Sequence, residues 1–254
     1  MIPERIKPLV LPGTAILAFE LWARLTDLHS DSLAPPSAIM LALVEALRDG
    51  SIIIATRDTL VSAFAGLAIG GALGLALGIA LGLVKIFDRL MEVTIEAIRP
   101  IPSVALLPIA LIALGFGYRM EIAIVAFACV WPVLIFTRAA IGGIEPRLIE
   151  VSRALRLTAI DRVRKIIIPA ALPRIFLAFR LAAGIALIVA VTVEIAINPI
   201  GLGAAIMTAQ QALRPDLMLA YLVWIGVTGY LLNVGLLAAQ RHWFGRAALA
   251  SEAA

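Results

Sequence analysis

The chain has 254 residues, 62% of them hydrophobic and 15% charged, with a formal net charge of +4 and a mean hydropathy of +1.04. Soluble domains are near half apolar and a quarter charged, so the composition excludes an ordinary soluble domain and reads as an integral membrane protein of several spans. The single cysteine, Cys129, excludes an intrachain disulfide and a cysteine-based metal cluster.

The basic N-terminus runs into an apolar stretch with no small-residue cleavage site after it, which predicts an uncleaved first span over 9–23. That span is short for the ~20 residues a bilayer needs and carries Glu20, expected as a polar helix contact. An acidic segment follows. Within it Pro35, Pro36 and Ser37 can start a helix with Ser37 as N-cap, and Gly50 can end it. Ile39, Met40, Leu43, Val44 and Leu47 share one face, which predicts a helix lying on the membrane.

The second span is expected over 60–84. Gly66, Gly70, Gly74, Gly78 and Gly82 recur every fourth residue, a pattern that lets helices approach closely in lipid. The stretch 85–99 reads as a polar connector. Arg99-Pro-Ile-Pro-Ser103 introduces a third span to 117, and Tyr118, Arg119 and Glu121 make a turn. A fourth span covers 122–141 with Pro132 inside it as an expected kink. A fifth covers 175–197 and ends at Asn198-Pro-Ile-Gly-Leu-Gly203. A polar helical stretch over 204–213 precedes the sixth span, 217–239, with Trp224 and Trp243 as expected interface residues.

Between the fourth and fifth spans lies the long polar interruption 145–173. Arg147, Arg153, Arg156, Arg162, Arg164 and Lys165 are opposed only by Glu145, Glu150 and Asp161. Leu148, Ile149, Ser152, Leu155 and Ala159 fall on one helical face, and Glu145-Pro146 opens a helix well. The simplest reading is a basic loop obeying the positive-inside rule. With six spans and both termini cytoplasmic, Arg5, Lys7, Lys85, Arg89, Arg99, Arg241, Arg246 and this cluster face the cytoplasm. Basic clustering of this kind sets orientation and does not indicate nucleic-acid binding.

Glu194 and Arg180 share the fifth span, and an ionisable group inside a span is a functional candidate. Fourteen residues place them roughly 20 Å apart. Arg180 suits snorkelling or carbonyl capping more than substrate binding. Glu194, with Asn198 one turn on, fits either a translocation pathway or gate or an interhelical hydrogen bond.

Glu150, small residues at 151 and 152, a turn near 156, Ile166 and Pro169 resemble the "EAA" loop of ABC importer permeases. That pattern has alanines where Val151 and Ser152 stand, glycine at Arg156 and leucine at Ile168. RPIPSVALLPIALIALGFG, the embedded glutamate and the Gly-Leu-Gly break are similar to the nitrate/sulfonate/taurine importer permeases across nearly the whole chain. The resemblance implies an all-α integral membrane protein with the six-helix, type I ABC importer permease (MetI-like) fold. Its parts are 1–58, a first helix with an outer amphipathic segment, 59–245, a five-helix core with the coupling loop 145–173, and a short tail, 246–254.

The resemblance also implies a non-enzymatic transport subunit in the cell (inner) membrane. Its expected partners are two copies of an ABC ATPase, a second permease copy as a homodimer, a substrate-binding protein and membrane lipid. The chain has no G-x-x-x-x-G-K-[ST], so ATP and Mg belong to the partner ATPase, and no cofactor is expected here. The coupling residues would be Leu148, Ile149, Glu150, Arg153, Leu155 and Arg156, and the pathway residues Glu194 and Asn198. The cargo would be a small solute such as a sulfonate or nitrate. An ATPase-independent carrier or channel is the alternative, although a carrier would usually show a related second half. An intramembrane enzyme would need Ser/His, His/Asp or acidic pairs that the spans lack.

Overall fold

The computed structural model describes residues 7–26 and 30–244. Arg5, Asp27, His29, Arg246 and the 246–254 tail lie outside them. All regular elements among the described residues are helical. They are α1 (Lys7–Leu25), α2 (Pro36–Arg48), α3 (Ser51–Leu83), α4 (Lys85–Ile98), α5 (Leu107–Leu114), α6 (Tyr118–Gly142), α7 (Pro146–Ala154), α8 (Ala159–Arg162), α9 (Ile168–Ala196), α10 (Leu202–Gln211) and α11 (Pro215–Phe244). A 3-10 turn, Ser103–Leu106, leads into α5, and a π-helical turn, Val163–Ile167, leads into α9.

Among the described residues, four stretches are long and apolar enough to cross a membrane: Ser51–Leu83, Tyr118–Gly142, Ala159–Ala196 and Pro215–Trp243. The pair Lys85–Ile98 and Ser103–Leu114, bent by 78°, makes a fifth if it is one span. The expected third span is thus not a straight helix. Pro100, Pro102 and Pro108 interrupt the amide ladder, and eight residues of α5 reach only about 12 Å. The second span is longer than expected, because α3 begins at Ser51 and at 33 residues extends about 50 Å.

Contacts divide the chain into two units, Met1–Asp58 with Glu194–Thr228, and Thr59–Val193 with Gly229–Ala254. In the first unit α2 packs its Ala42, Leu43 and Ala46 against Ile52, Ala55, Leu202, Ala220 and Tyr221. Of the apolar face expected to lie on the membrane, Leu43 is buried and Ile39 and Leu47 are half-buried against this cluster, while Met40 and Val44 remain exposed. Trp224 also turns inward, its indole N–H donating to Thr56 Oγ1 at 2.8 Å. Pro35, not Ser37, is the N-cap residue of α2. Ser37 donates its N–H and hydroxyl to the Glu20 carboxylate at 3.0 and 2.8 Å, so an acid from α1 serves the positive end of α2.

The second unit is built on a very close α3–α6 contact. A side chain at Gly70 would collide with the Ala126 backbone. One at Gly74 would meet the Val130 carbonyl oxygen, and one at Gly78 the Leu134 carbonyl and Thr137. In lipid, where apolar burial drives no association, such backbone proximity supplies the packing attraction. Cys129 is buried in this core. Segment 85–99 is an amphipathic helix, not a connector. Phe87, Met91 and Ile95 pack near Leu81, Trp131 and Leu134, while Lys85, Asp88, Glu92 and Glu96 share the neighbouring arc. Arg138 of α6 forms an ion pair with Asp88, Nη2 to Oδ2 at 2.9 Å.

Candidate functional site

Two places carry the sequence-predicted residues. The first is α7 and the turn after it. Glu145 precedes the helix and Pro146 occupies its first turn, where a missing N–H costs nothing. Ser152 is buried and its hydroxyl donates to the Ile149 carbonyl at 2.5 Å. Ile149 is half-buried, whereas Leu148, Val151 and Leu155 are exposed. The apolar residues expected on one face are therefore split. Ser152 and Ile149 turn towards the protein, while Leu148 and Leu155, with Val151 between them, present a face to the surroundings. Glu150, Arg153 and Arg156 are also exposed.

Arg156 ends this helix in the left-handed region at φ 50°. Its N–H reaches the Arg153 carbonyl at 2.9 Å and the Leu157 N–H reaches the Ser152 carbonyl at 3.0 Å. These two bonds form a Schellman cap, which usually places glycine where Arg156 stands. Thr158 then caps α8 by accepting the Asp161 N–H at 3.1 Å. In the π turn the Ile168 N–H bonds the Val163 carbonyl. Pro169, just beyond, has no N–H to offer the Lys165 carbonyl, which accounts for a wider turn at this point.

The second place is the end of α9. Glu194 and Asn198 are each 2% exposed. The Glu194 carboxylate accepts the Gly203 N–H at 2.8 Å, at the N-terminus of α10, where backbone donors and the helix dipole favour negative charge. Gly201 turns the chain into α10 at φ 92°, and any side chain there would strike the carboxylate. Two cavities flank α10. One of about 640 Å³ is bordered by Ser51, Asp58, Thr208, Arg214 and Tyr221, and one of about 280 Å³ by Glu194, Asn198, Met207, Thr208 and Gln211. Thr208 and Ala204 border both. Among the described residues no cluster of His, Cys, Asp and Glu could hold a metal ion.

Long apolar helices, interrupted once by an exposed basic helix and once by a short helix held on a buried carboxylate, define a membrane transport subunit. The chain belongs to the family described as binding-protein-dependent transport system inner membrane component, which matches residues 70–247. It is 30% identical over 226 residues to SsuC of Bacillus subtilis, a protein named for aliphatic sulfonate transport, covering 89% of this chain and 82% of that one. It is 27% identical over 183 residues to the nitrate import permease protein NrtB of Leptolyngbya laminosa, covering 71% and 63%. The fold matches a chain of the MetNI methionine ABC transporter in an inward-facing conformation, with a TM-score of 0.66, 22% identity and coverage of 83% and 99%.

Proposed function

We propose that this permease subunit forms the path by which an ATP-driven importer carries a small anion, such as a sulfonate or nitrate, handed over by a substrate-binding protein. The observation that carries this reading is the exposed apolar face of α7, flanked by Glu150 and Arg153 in a basic segment between two apolar stretches. A rigid helix presenting Leu148, Val151 and Leu155 suits a groove on a soluble partner, and the charged residues suit its rim. That partner is the ATPase, because this sequence has no phosphate-binding loop of its own.

On this reading α7 is the coupling helix, in contact through Leu148, Ile149, Glu150, Arg153, Leu155 and Arg156. Two ATPases and a second permease copy complete the complex, and both termini are cytoplasmic. The substrate class follows from relatives named for sulfonate and nitrate transport. Glu194 and Asn198 border a cavity beside the α10 break, which supports a place next to the pathway. Copurification of the tagged chain with an ATPase tests the proposal. Recovery of the intact permease without an ATPase, under conditions that preserve membrane complexes, contradicts it.

A further inference from the structure

Arg180 lies about 18 Å along α9 from Ile168 at 1.5 Å per residue. It does not snorkel alone towards a helix end. Its Nη1 donates to Gln240 Oε1 at 3.1 Å and its Nε to Asn233 Oδ1 at 3.4 Å, both on α11. Gln240 is 1% exposed, and its Nε2 has no hydrogen-bond partner. Gln240 does not border the neighbouring cavity and serves to hold the guanidinium. Asn233 is exposed and Arg180 half-buried, although both stand in helices apolar enough to cross a membrane. A guanidinium and an amide facing hydrocarbon are strongly disfavoured, so this face looks onto water or another polar surface. A cavity of about 180 Å³ opens beside it, bordered by Arg180, Gly184, Leu187, Gly229, Asn233 and Leu236. Gly184 has open space where a side chain would stand.

We propose that Arg180 and Asn233, with buried Gln240 holding the guanidinium in place, form an intramembrane binding station for a small oxyanion passing through the permease. The proposal rests on the import reading above for the direction of travel, but not for the chemistry of the site. A planar guanidinium presents a fork of N–H donors that matches a sulfonate, nitrate or carboxylate. The Asn233 amide adds neutral hydrogen bonding without a competing negative charge. Leu187 and Leu236 offer apolar surface to the organic part of a sulfonate. The cavity is smaller than the roughly 300–1,000 Å³ of drug-sized sites, which restricts it to a small group.

The test uses the full-length chain with Cys129→Ser and Gly184→Cys in phosphatidylcholine nanodiscs, open to reagents from both faces. The probes are sulfonatoethyl methanethiosulfonate and its trimethylammonium counterpart, one anionic and one cationic. With each rate divided by that reagent's rate on free cysteine, because a thiolate intrinsically favours the cation, the site predicts about tenfold or greater preference for the anionic reagent, within the range that charged clefts give. Adding Arg180→Gln should level the two rates, and sodium ethanesulfonate should slow labelling of the Arg180 form relative to sodium chloride at equal ionic strength. No reaction with either reagent, equal rates with Arg180 present, or a preference that survives Arg180→Gln overturns the proposal. If phosphatidylglycerol abolishes the preference while ethanesulfonate gives no protection, the occupant is a lipid headgroup and the solute station is wrong. Gly229→Cys, where the nearest neighbour is Leu187 Cδ2 at 3.4 Å, provides the same measurement if the first variant does not fold. None of these rates requires the ATPase, so failure of ATPase copurification and failure of the station are distinguishable.

Discussion

The Glu194 carboxylate accepts the Gly203 N–H at 2.8 Å and so joins the last turn of α9 to the first turn of α10. The bond depends on Gly201, whose positive φ and missing side chain bring the two helix ends together. Glu194→Leu removes the acceptor and should lower stability by about 1–3 kcal/mol. Glu194→Gln keeps the shape and loses only the charge-assisted part, about 1 kcal/mol or less. Thermal unfolding of the purified permease orders the variants wild type, Gln, Leu. We expect Glu194→Gln to assemble normally and to change transport rate. Normal transport by the Leu variant would place Glu194 outside both gate and ligand contact.

At Arg156 the structure demands a conformation that L residues adopt at a cost of about 1–2 kcal/mol. Arg156→Gly should therefore raise the stability of the α7 turn by up to about 1 kcal/mol, reduced by the extra freedom glycine gives the unfolded chain. Arg156→Val, β-branched at positive φ, should lower it. Hydrogen exchange at the Arg156 and Leu157 amides, which form the cap, reads both changes locally. Faster exchange in the Gly variant would show that the arginine side chain supports the turn.

The α3–α6 contact gives a third expectation. Gly70→Leu places a side chain against the Ala126 backbone, where no rotamer relieves the collision, and should cost more than the roughly 1–3 kcal/mol of ordinary overpacking. Gly235→Ala, in α11 with nothing near its Cβ position, should be close to neutral. Yield of monodisperse protein in mild detergent, compared across the two variants, checks the difference. Equal yields would show that α3 and α6 do not depend on this approach.

Much of this architecture is legible in the residues alone, for identifiable reasons. The apolar runs of α6, α9 and α11 are long enough to declare themselves, and the glycine stripe of α3 points to its contact face. Charge was misleading in two places. Arg57 and Asp58 mark an end to the apolar run but not to the helix, since α3 starts at Ser51. In α4 the charges of Lys85, Asp88, Glu92 and Glu96 obscure a packed stripe of Phe87, Met91 and Ile95. The end of α7 near 156 could be placed by spacing against the importer pattern, and an arginine there gives no glycine signal of its own. The Glu194 cap could not be read, because its acceptor and donor are nine residues apart and meet only through the φ of Gly201. The Arg180 cluster needed the register of α11, which places Asn233 and Gln240 opposite the guanidinium. Val151 stands at a small-residue position of the loop pattern, which carries no signal for its exposure.

The coupling role of α7 is the central claim, and Glu150→Arg combined with Leu155→Asp tests it most directly. Both side chains are exposed, Leu155 at 64%, so the changes reverse a rim charge and remove an apolar contact without opening a cavity in the subunit. The decisive measurement is ATP hydrolysis by the purified importer in proteoliposomes, with and without its binding protein and substrate. A coupling role for α7 predicts a correctly inserted permease of unchanged melting temperature that loses its ATPase on purification, or retains it with no substrate stimulation. Normal recovery of the complex together with normal substrate-stimulated hydrolysis would contradict it.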